Sequence, residues 1–257
     1  MRACPLILAG MMRNSFWRVS QLDLDTNFGC LCNRLGYLTQ FEPYQGSSGS
    51  GYDHSLGLGP SVILDLISEL PANVSFKLYA DRFFSSLKLV DHLSTLGFGY
   101  TGTIMSNRIK NCPVTSPHEM SQKPCGDYEY RLDKTTNSLV VVWNDNRVVT
   151  VVSNTNSVSP VRSVLRWVSS EKRKVPVNQP HVVHQYNMFM GGVDRMAQNV
   201  DNYRVGIRSK KWWWPVLLFC IDTAVHRAVL TNGPGGPGPR ASGAPNTSPC
   251  VIFCLVK

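Results

Sequence analysis

Residues 76–105 read FKLYADRFFSSLKLVDHLSTLGFGYTGTIM, and this stretch decides the fold class. The run 76–80 is a short apolar strand with Asp81 immediately behind it. The segment 85–96 has the apolar spacing of an amphipathic helix closed by Gly97, and 100–105 is a second strand. Strand, helix, strand is the alternation of a sheet covered by helices, an α/β fold. Upstream, 29–45 (GCLCNRLGYLTQFEPYQ) predicts a hairpin around Gly36 whose second strand spans 37–44. The glycine- and serine-rich 46–60 predicts a loop. A helix over 61–70 follows, with Ser61 as N-cap and Pro71 as its stop.

Downstream of Asn107 the character changes. Pro113, Pro117 and Pro124 mark 111–126 as loop, and 128–132, 139–144 and 147–153 read as three strands, the last two joined by Asp145-Asn146. An all-β meander between αβ pieces suggests an insertion. The glycine-punctuated 187–208 becomes helical from Asp194. A longer helix over 209–230 has apolar residues at 213, 216, 217, 220, 221, 224 and 228 and Pro215 in its first turns. The tail from 232 is rich in Gly, Pro and Ser and reads as a linker or disordered end.

Twenty-six Lys and Arg against 17 Asp and Glu leave a formal charge of +9 on 257 residues. That excess points to an anionic partner, nucleic acid being the commonest. No run of 18 apolar residues exists, so no spanning helix and no membrane partner are expected. Eight cysteines are too dilute for a disulfide-stapled scaffold and predict a reducing, intracellular setting. The apolar 5–12 lacks a small-x-small cleavage site and is not read as a signal peptide. Cys254 stands fourth from the end, but the terminal Lys257 argues against prenylation.

Two acids could carry chemistry. Asp81 ends a strand that feeds a helix, where open α/β sheets place ligands, and it could hold a metal or simply cap the turn. Asp194 follows Gly191-Gly192 at a helix start, again as ligand or cap. Two carboxylates converging from distant positions suit Mg²⁺. Arg195, Arg204, Arg208, Lys210 and Lys211, with Tyr203 and Trp212-Trp213-Trp214, form the densest basic cluster, suited to phosphate neutralisation and base stacking or to a solvated face over buried Trp. Cys30-x-Cys32 and Cys250-x-x-x-Cys254 make no four-ligand zinc set, and His181-x-x-His184 has no companion motif.

YADRFFSS at 79–86, TGTIMSNRI at 101–109 and NMFMGGVDRMAQNVDNYRVGIRSKKWWWP at 187–215 resemble the piggyBac transposase-derived proteins. GCLCNRLGYLTQFEPYQGSSGSGYDHSLGLGP, upstream, resembles their domesticated vertebrate members. The resemblance runs from about Gly29 to Leu230. It implies an RNase H-like core interrupted by an insertion, and a site of acids holding two Mg²⁺ ions for DNA cutting and joining. Asp81 then matches the second catalytic aspartate and Asp194 the third.

Three departures qualify this. Residues 1–28 do not resemble the family's first core strand, which carries the first aspartate, and Asp23 and Asp25 lie too close to Cys30 to replace it. Ala197 stands where the family usually has a further Asp. The cysteine-rich zinc-binding C-terminus is replaced by the Gly/Pro tail, so no zinc site is expected. The resulting expectation is a truncated RNase H-like core: 1–28 unmatched, 29–107 first core part, 108–181 β-rich insertion, 182–231 second core part, 232–257 disordered tail. Loss of the first strand should leave its neighbours with unpaired backbone. Function is expected to be nuclear, weak and nonspecific DNA binding through Arg195, Arg204, Arg208, Lys210, Lys211 and Trp212, without catalysis. A protein-interaction module built on the basic Trp-rich helix is the alternative, and a residual Mg²⁺-dependent transposase a third reading.

Overall fold

The computed structural model describes residues 28–43, 55–70, 75–109, 112–168, 172–204, 206–207, 209–211, 213–232 and 250–256. Ten strands are assigned among them: β1 Phe28–Asn33, β2 Leu38–Pro43, β3 Lys77–Ala80, β4 Gly99–Thr103, β5 Tyr128–Asp133, β6 Ser138–Asn144, β7 Val148–Ser153, β8 Arg162–Val168, β9 Arg173–Gln179 and β10 Cys250–Val256. The helices are α1 Leu58–Ile67, α2 Leu87–Thr95, the short α3 Pro117–Ser121, α4 His181–Phe189, α5 Gly192–Tyr203 and α6 Trp214–Asn232. Eight strands form one mixed sheet in the order β2-β1-β10-β3-β4-β7-β6-β5, and β8 and β9 form a separate ribbon.

Strand alternation sorts side chains onto two faces. Leu31, Leu78, Ala80, Val140 and Val152 join one core with Val62, Ile63 and Leu66 of α1 and Leu89, Val90 and Leu93 of α2. Their neighbours in sequence point the other way: Cys30, Cys32 and Tyr79 pack with Val193, Met196 and Val200 of α5 and Val216 and Phe219 of α6. Val141 and Val151 pack on that second side with Val182 and Val183 of α4. The result is a sheet between two helical layers.

The αβ core follows its sequence signals closely. Ser86 caps α2 by accepting from the Leu89 N–H at 3.1 Å, and Gly97 leaves the helix at φ +79°. α1 differs from expectation. It starts at Leu58 with Gly57 as N-cap, and the Ser61 hydroxyl donates back to the Gly57 carbonyl at 2.8 Å from inside the helix. The early start is possible because Gly59 has no Cβ: one there would stand 2.4 Å from the Phe83 carbonyl oxygen. The proline-rich 111–126 also holds α3, started by a capping box between Ser116 and Glu119.

Two larger differences concern topology. The meander of β5, β6 and β7 is continuous with the core sheet, because β7 pairs antiparallel with β4 through Thr101↔Ser153 and Thr103↔Val151. The tail, expected to be disordered, ends in β10, a central strand. It runs antiparallel to β1 from Phe28↔Val256 to Asn33↔Val251 and parallel to β3 from Cys250↔Lys77 to Phe253↔Ala80. The backbone of β1 and β3, expected to lack a partner, is therefore paired. Residues 1–27 and 233–249 lie outside the described residues.

α6 also turns a different face inward from the one its apolar pattern suggests. Val216, Phe219, Thr223 and His226 are buried, while Ile221, Ala224, Val225, Ala228 and Val229 are exposed. The inward stripe is set by partners: Phe219 meets Phe41 edge-on at 5.3 Å. The Thr223 hydroxyl donates to the Phe219 carbonyl at 2.7 Å, and His226 Nε2 lies 3.0 Å from Asn199 Nδ2. Buried polar residues such as Thr223 and His226 are invisible to a hydrophobic pattern.

Candidate functional site

Asp81 stands at the end of β3 on the α5 side of the sheet, the side to which Tyr79 points. Its Oδ1 accepts from the Arg82 N–H at 2.6 Å and from the Thr103 hydroxyl at 3.2 Å, and Thr103 Oγ1 also lies 3.2 Å from the Tyr186 hydroxyl of α4. Asp81 is not the cap of the following helix; Ser86 is. Behind it, 82–85 forms a turn held by one guanidinium: Arg108 Nη1 donates to the carbonyls of Phe83 at 2.7 Å, Ser85 at 2.8 Å and Arg82 at 3.3 Å. Below it, the buried Ser85 and Tyr100 hydroxyls are 2.7 Å apart, and burial pushes the Tyr100 hydroxyl pKa well above its ordinary value. Thr103, Tyr186 and Arg108 were missed in the sequence because contacts 22 to 83 residues apart in the chain leave no local signature.

The register defines what lies beside Asp81. Phe253 pairs with Ala80, and Cys30 pairs with Cys254, so one rung further on the row across the sheet is Cys30, Cys254, Asp81, Thr103. The Thr103–Asp81 hydrogen bond confirms the last step of that row.

Asp194 lies elsewhere. It is the third residue of α5, exposed, in a first turn where an acid complements the helix dipole; Gly191, not Asp194, is the N-cap. That turn sits against the β1–β2 hairpin. A Cβ on Gly36 would stand 3.0 Å from the Met196 nitrogen and 3.3 Å from the Gly192 oxygen, and Arg195 Nη1 donates to the Arg34 carbonyl at 3.4 Å. The hairpin turn follows Asn33, which pairs with Val251, level with Leu78. From there to Asp81 is roughly 10 Å along the strand and about 10 Å across two strand spacings. The structure places Asp81 at the end of β3 and the first turn of α5, with Asp194, by the hairpin turn at Gly36.

Mg²⁺ takes hard oxygen ligands, and the described partners of the Asp81 carboxylate are the Arg82 N–H and the Thr103 hydroxyl. Among the described residues, no group of three His, Cys, Asp or Glu converges.

The basic cluster is only partly available. Arg204 is committed to Asp222 at 3.5 Å, with Asp201 at 3.8 Å. Arg195, Lys210 and Lys211 are exposed, whereas Arg208 and Trp212 lie outside the described residues. Trp213 and Trp214 are half-buried and meet edge-on at 5.8 Å, and Trp214 Nε1 donates to the Ile207 carbonyl at 3.0 Å. A second basic and aromatic surface went unforeseen. On the β8–β9 ribbon, Leu165 and Trp167 are exposed opposite Pro176 and Lys174.

A mixed α/β sheet with an aspartate at the end of a parallel strand and an acid-bearing helix beyond a β-rich segment is compatible with a DDE-type transposase domain, and residues 20–229 match the family model described as Transposase IS4. The chain belongs to the piggyBac transposable element-derived family. It is 37% identical over 217 residues to human PiggyBac transposable element-derived protein 3, covering 83% of this chain and 36% of that protein. To human PiggyBac transposable element-derived protein 2 it is 34% identical over 201 residues, covering 77% and 34%. The chain thus spans about a third of the length of these relatives. Its fold matches the cryo-EM structure of the piggyBac transposase synaptic complex with hairpin DNA, with a TM-score of 0.58 and 19% identity over 76% of this chain and 37% of that one. An RNase H-like core is implied by this homology.

Proposed function

We propose that this chain is a DNA-binding, catalytically silent piggyBac-derived domain acting in the nucleus. What supports the catalytic half of this reading is that, among the described residues, no group of three His, Cys, Asp or Glu converges, and the Asp81 carboxylate is engaged by the Arg82 N–H and the Thr103 hydroxyl. In this reading residues 108–181 are the insertion, adding β5, β6 and β7 to the β4 edge of the core. The DNA-binding half rests on the +9 charge and on the exposed Arg195, Lys210 and Lys211. The solved transposase, by its title, was captured with hairpin DNA.

Binding is expected to be weak and indifferent to sequence. With Arg204 held by Asp222, Arg195, Arg208, Lys210 and Lys211 would make ~4 phosphate contacts, so log K against log salt should fall with a slope of about −3.6. Fluorescence anisotropy with a labelled duplex measures this, and a slope near zero would discard the DNA reading. No Mg²⁺-dependent nicking of supercoiled plasmid is expected. Nicking that is lost in Asp81→Ala would restore the transposase reading.

The second reading, a protein-interaction module, is favoured by one feature: Ile221, Val225 and Val229 form an exposed apolar stripe along α6.

A further inference from the structure

We propose that the outer edge of β8 is a docking site for an extended acidic peptide, one whose side chains alternate between apolar and carboxylate and which adds to the β8–β9 ribbon as a third strand. The surface is separate from the arginines and lysines of the DNA reading and does not rest on that reading.

Register decides which backbone groups this edge offers. In an antiparallel pair, directly opposite residues alternate between those that bond each other and those whose N–H and C=O point away. Pro176 has no N–H and stands opposite Leu165, and a proline in a ladder takes an outward-pointing position. The next pair on the same face agrees: the Asn178 carbonyl, opposite Ser163, accepts from Trp143 Nε1 at 2.8 Å rather than from β8. On β8 the residues opposite Asn178, Pro176 and Lys174 are Ser163, Leu165 and Trp167, so theirs are the N–H and C=O groups that face outward. The two edges of the ribbon differ in company. The β9 edge lies against Trp143 and Gly126, where a Cβ on Gly126 would stand 3.1 Å from the Asn178 nitrogen. The β8 edge has no strand beside it among the described residues, and such an edge is a template for another strand.

The side chains along that edge choose the occupant. Ser163, Leu165 and Trp167 are exposed, Leu165 at 67% and Trp167 at 54%, and so is Pro176 opposite Leu165. Residues of an added strand on this face would lie beside Leu165 and Trp167, where apolar side chains gain most. The alternate positions, Arg162 and Arg166, belong to the other face. Arg166 is already held by Asp145 at 3.3 Å. Arg162 is exposed and, like the exposed Lys172 and Lys174, makes no ion pair among the described residues. β8 and β9 together hold four cations and no acid, so a second copy of the ribbon is repelled and an acidic strand attracted. The alternation follows: apolar residues beside Leu165 and Trp167, a carboxylate beside Arg162. Nucleic acid fits this edge less well, because phosphates accept hydrogen bonds but cannot donate to the edge carbonyls, whereas an extended peptide does both.

The probe is a fluorescein-labelled peptide of alternating valine and glutamate, four of each, titrated with the full chain and read by anisotropy. Saturable binding that weakens as salt is raised is expected, with none for the matching valine–lysine peptide. In an antiparallel third strand the valines, lying on the Leu165 face, are the residues whose amides bond to β8. N-methylation of the valine amides should therefore weaken binding by at least about 10-fold, and N-methylation of the glutamate amides by no more than about 2-fold. That comparison leaves the protein untouched. Leu165→Pro removes one outward N–H without taking a bond from the β8–β9 ladder, and should likewise cost at least about 10-fold. A parent chain that takes the peptide but no duplex DNA supports the proposal while discarding the DNA reading. The proposal is overturned by absence of saturable peptide binding, by equal losses from the two methylation patterns, by undiminished binding in Leu165→Pro, or by displacement of the peptide with oligo-dT.

Discussion

Replacing Arg108 by alanine should release the turn that carries the backbone away from Asp81. One guanidinium nitrogen holds the Phe83 and Ser85 carbonyls at 2.7 and 2.8 Å and the Arg82 carbonyl, more weakly, at 3.3 Å. Bonds from a charged donor contribute about 1.5–3 kcal/mol each when deleted. Arg108 is half-buried, so water can reach part of the vacated space, and the two short bonds together are worth about 2–3 kcal/mol. For a domain of this size each kcal/mol moves the midpoint by roughly 2–4 °C, giving a loss of about 4–12 °C in Tm by calorimetry. Amides 82–86 should exchange faster than those of β6, because the damage is local. Arg108→Lys keeps the charge but offers a single ammonium, and should recover only part of the loss. A Tm within 1 °C of the parent in Arg108→Ala, with unchanged exchange at 82–86, would refute the claim that this side chain holds the turn.

Two further outcomes follow from the described geometry. Glu42 has its pKa raised from 4.5 to about 7 by burial, with the nearby Asp65 charge adding to it. The folded chain therefore holds this proton more tightly than the unfolded one, and the stability it brings is complete below about pH 4.5 and lost as pH rises through 7. Glu42→Gln should be more stable than the parent at pH 8, with the gap closing towards pH 4.5 in urea titrations; a gap independent of pH would contradict this. Gly36→Ala places a β-carbon at φ +86° and 3.0 Å from the Met196 nitrogen. Left-handed backbone alone costs about 1–2 kcal/mol, so a loss of roughly 2 kcal/mol is expected in the urea midpoint, and an unaltered midpoint would show that α5 does not rest on the hairpin turn.

Much of the αβ core is determined locally. The alternation in 76–80, the Ser86 cap and Gly97 fix a strand and a helix within a few residues of themselves, and structure and sequence agree there. The meander strands 128–132, 139–144 and 147–153 were legible for the same reason: period-two patterns and a turn pair are short-range signals. Asp81 was legible as a strand-end acid, and Asp194 as an acid near a helix start.

What the sequence could not decide was company. Cys250–Val256 is an apolar run beyond a Gly/Pro tether, and only β1 and β3, more than 160 residues away, make it a central strand. The inward face of α6 was likewise chosen by Phe41, α5 and Asn199 rather than by its apolar spacing. Where Asp81 and Asp194 each sit depends on strand register and on where α5 meets the hairpin turn. Local propensity sets which elements form; register and packing, which exist only once distant segments meet, set which side chains share a site.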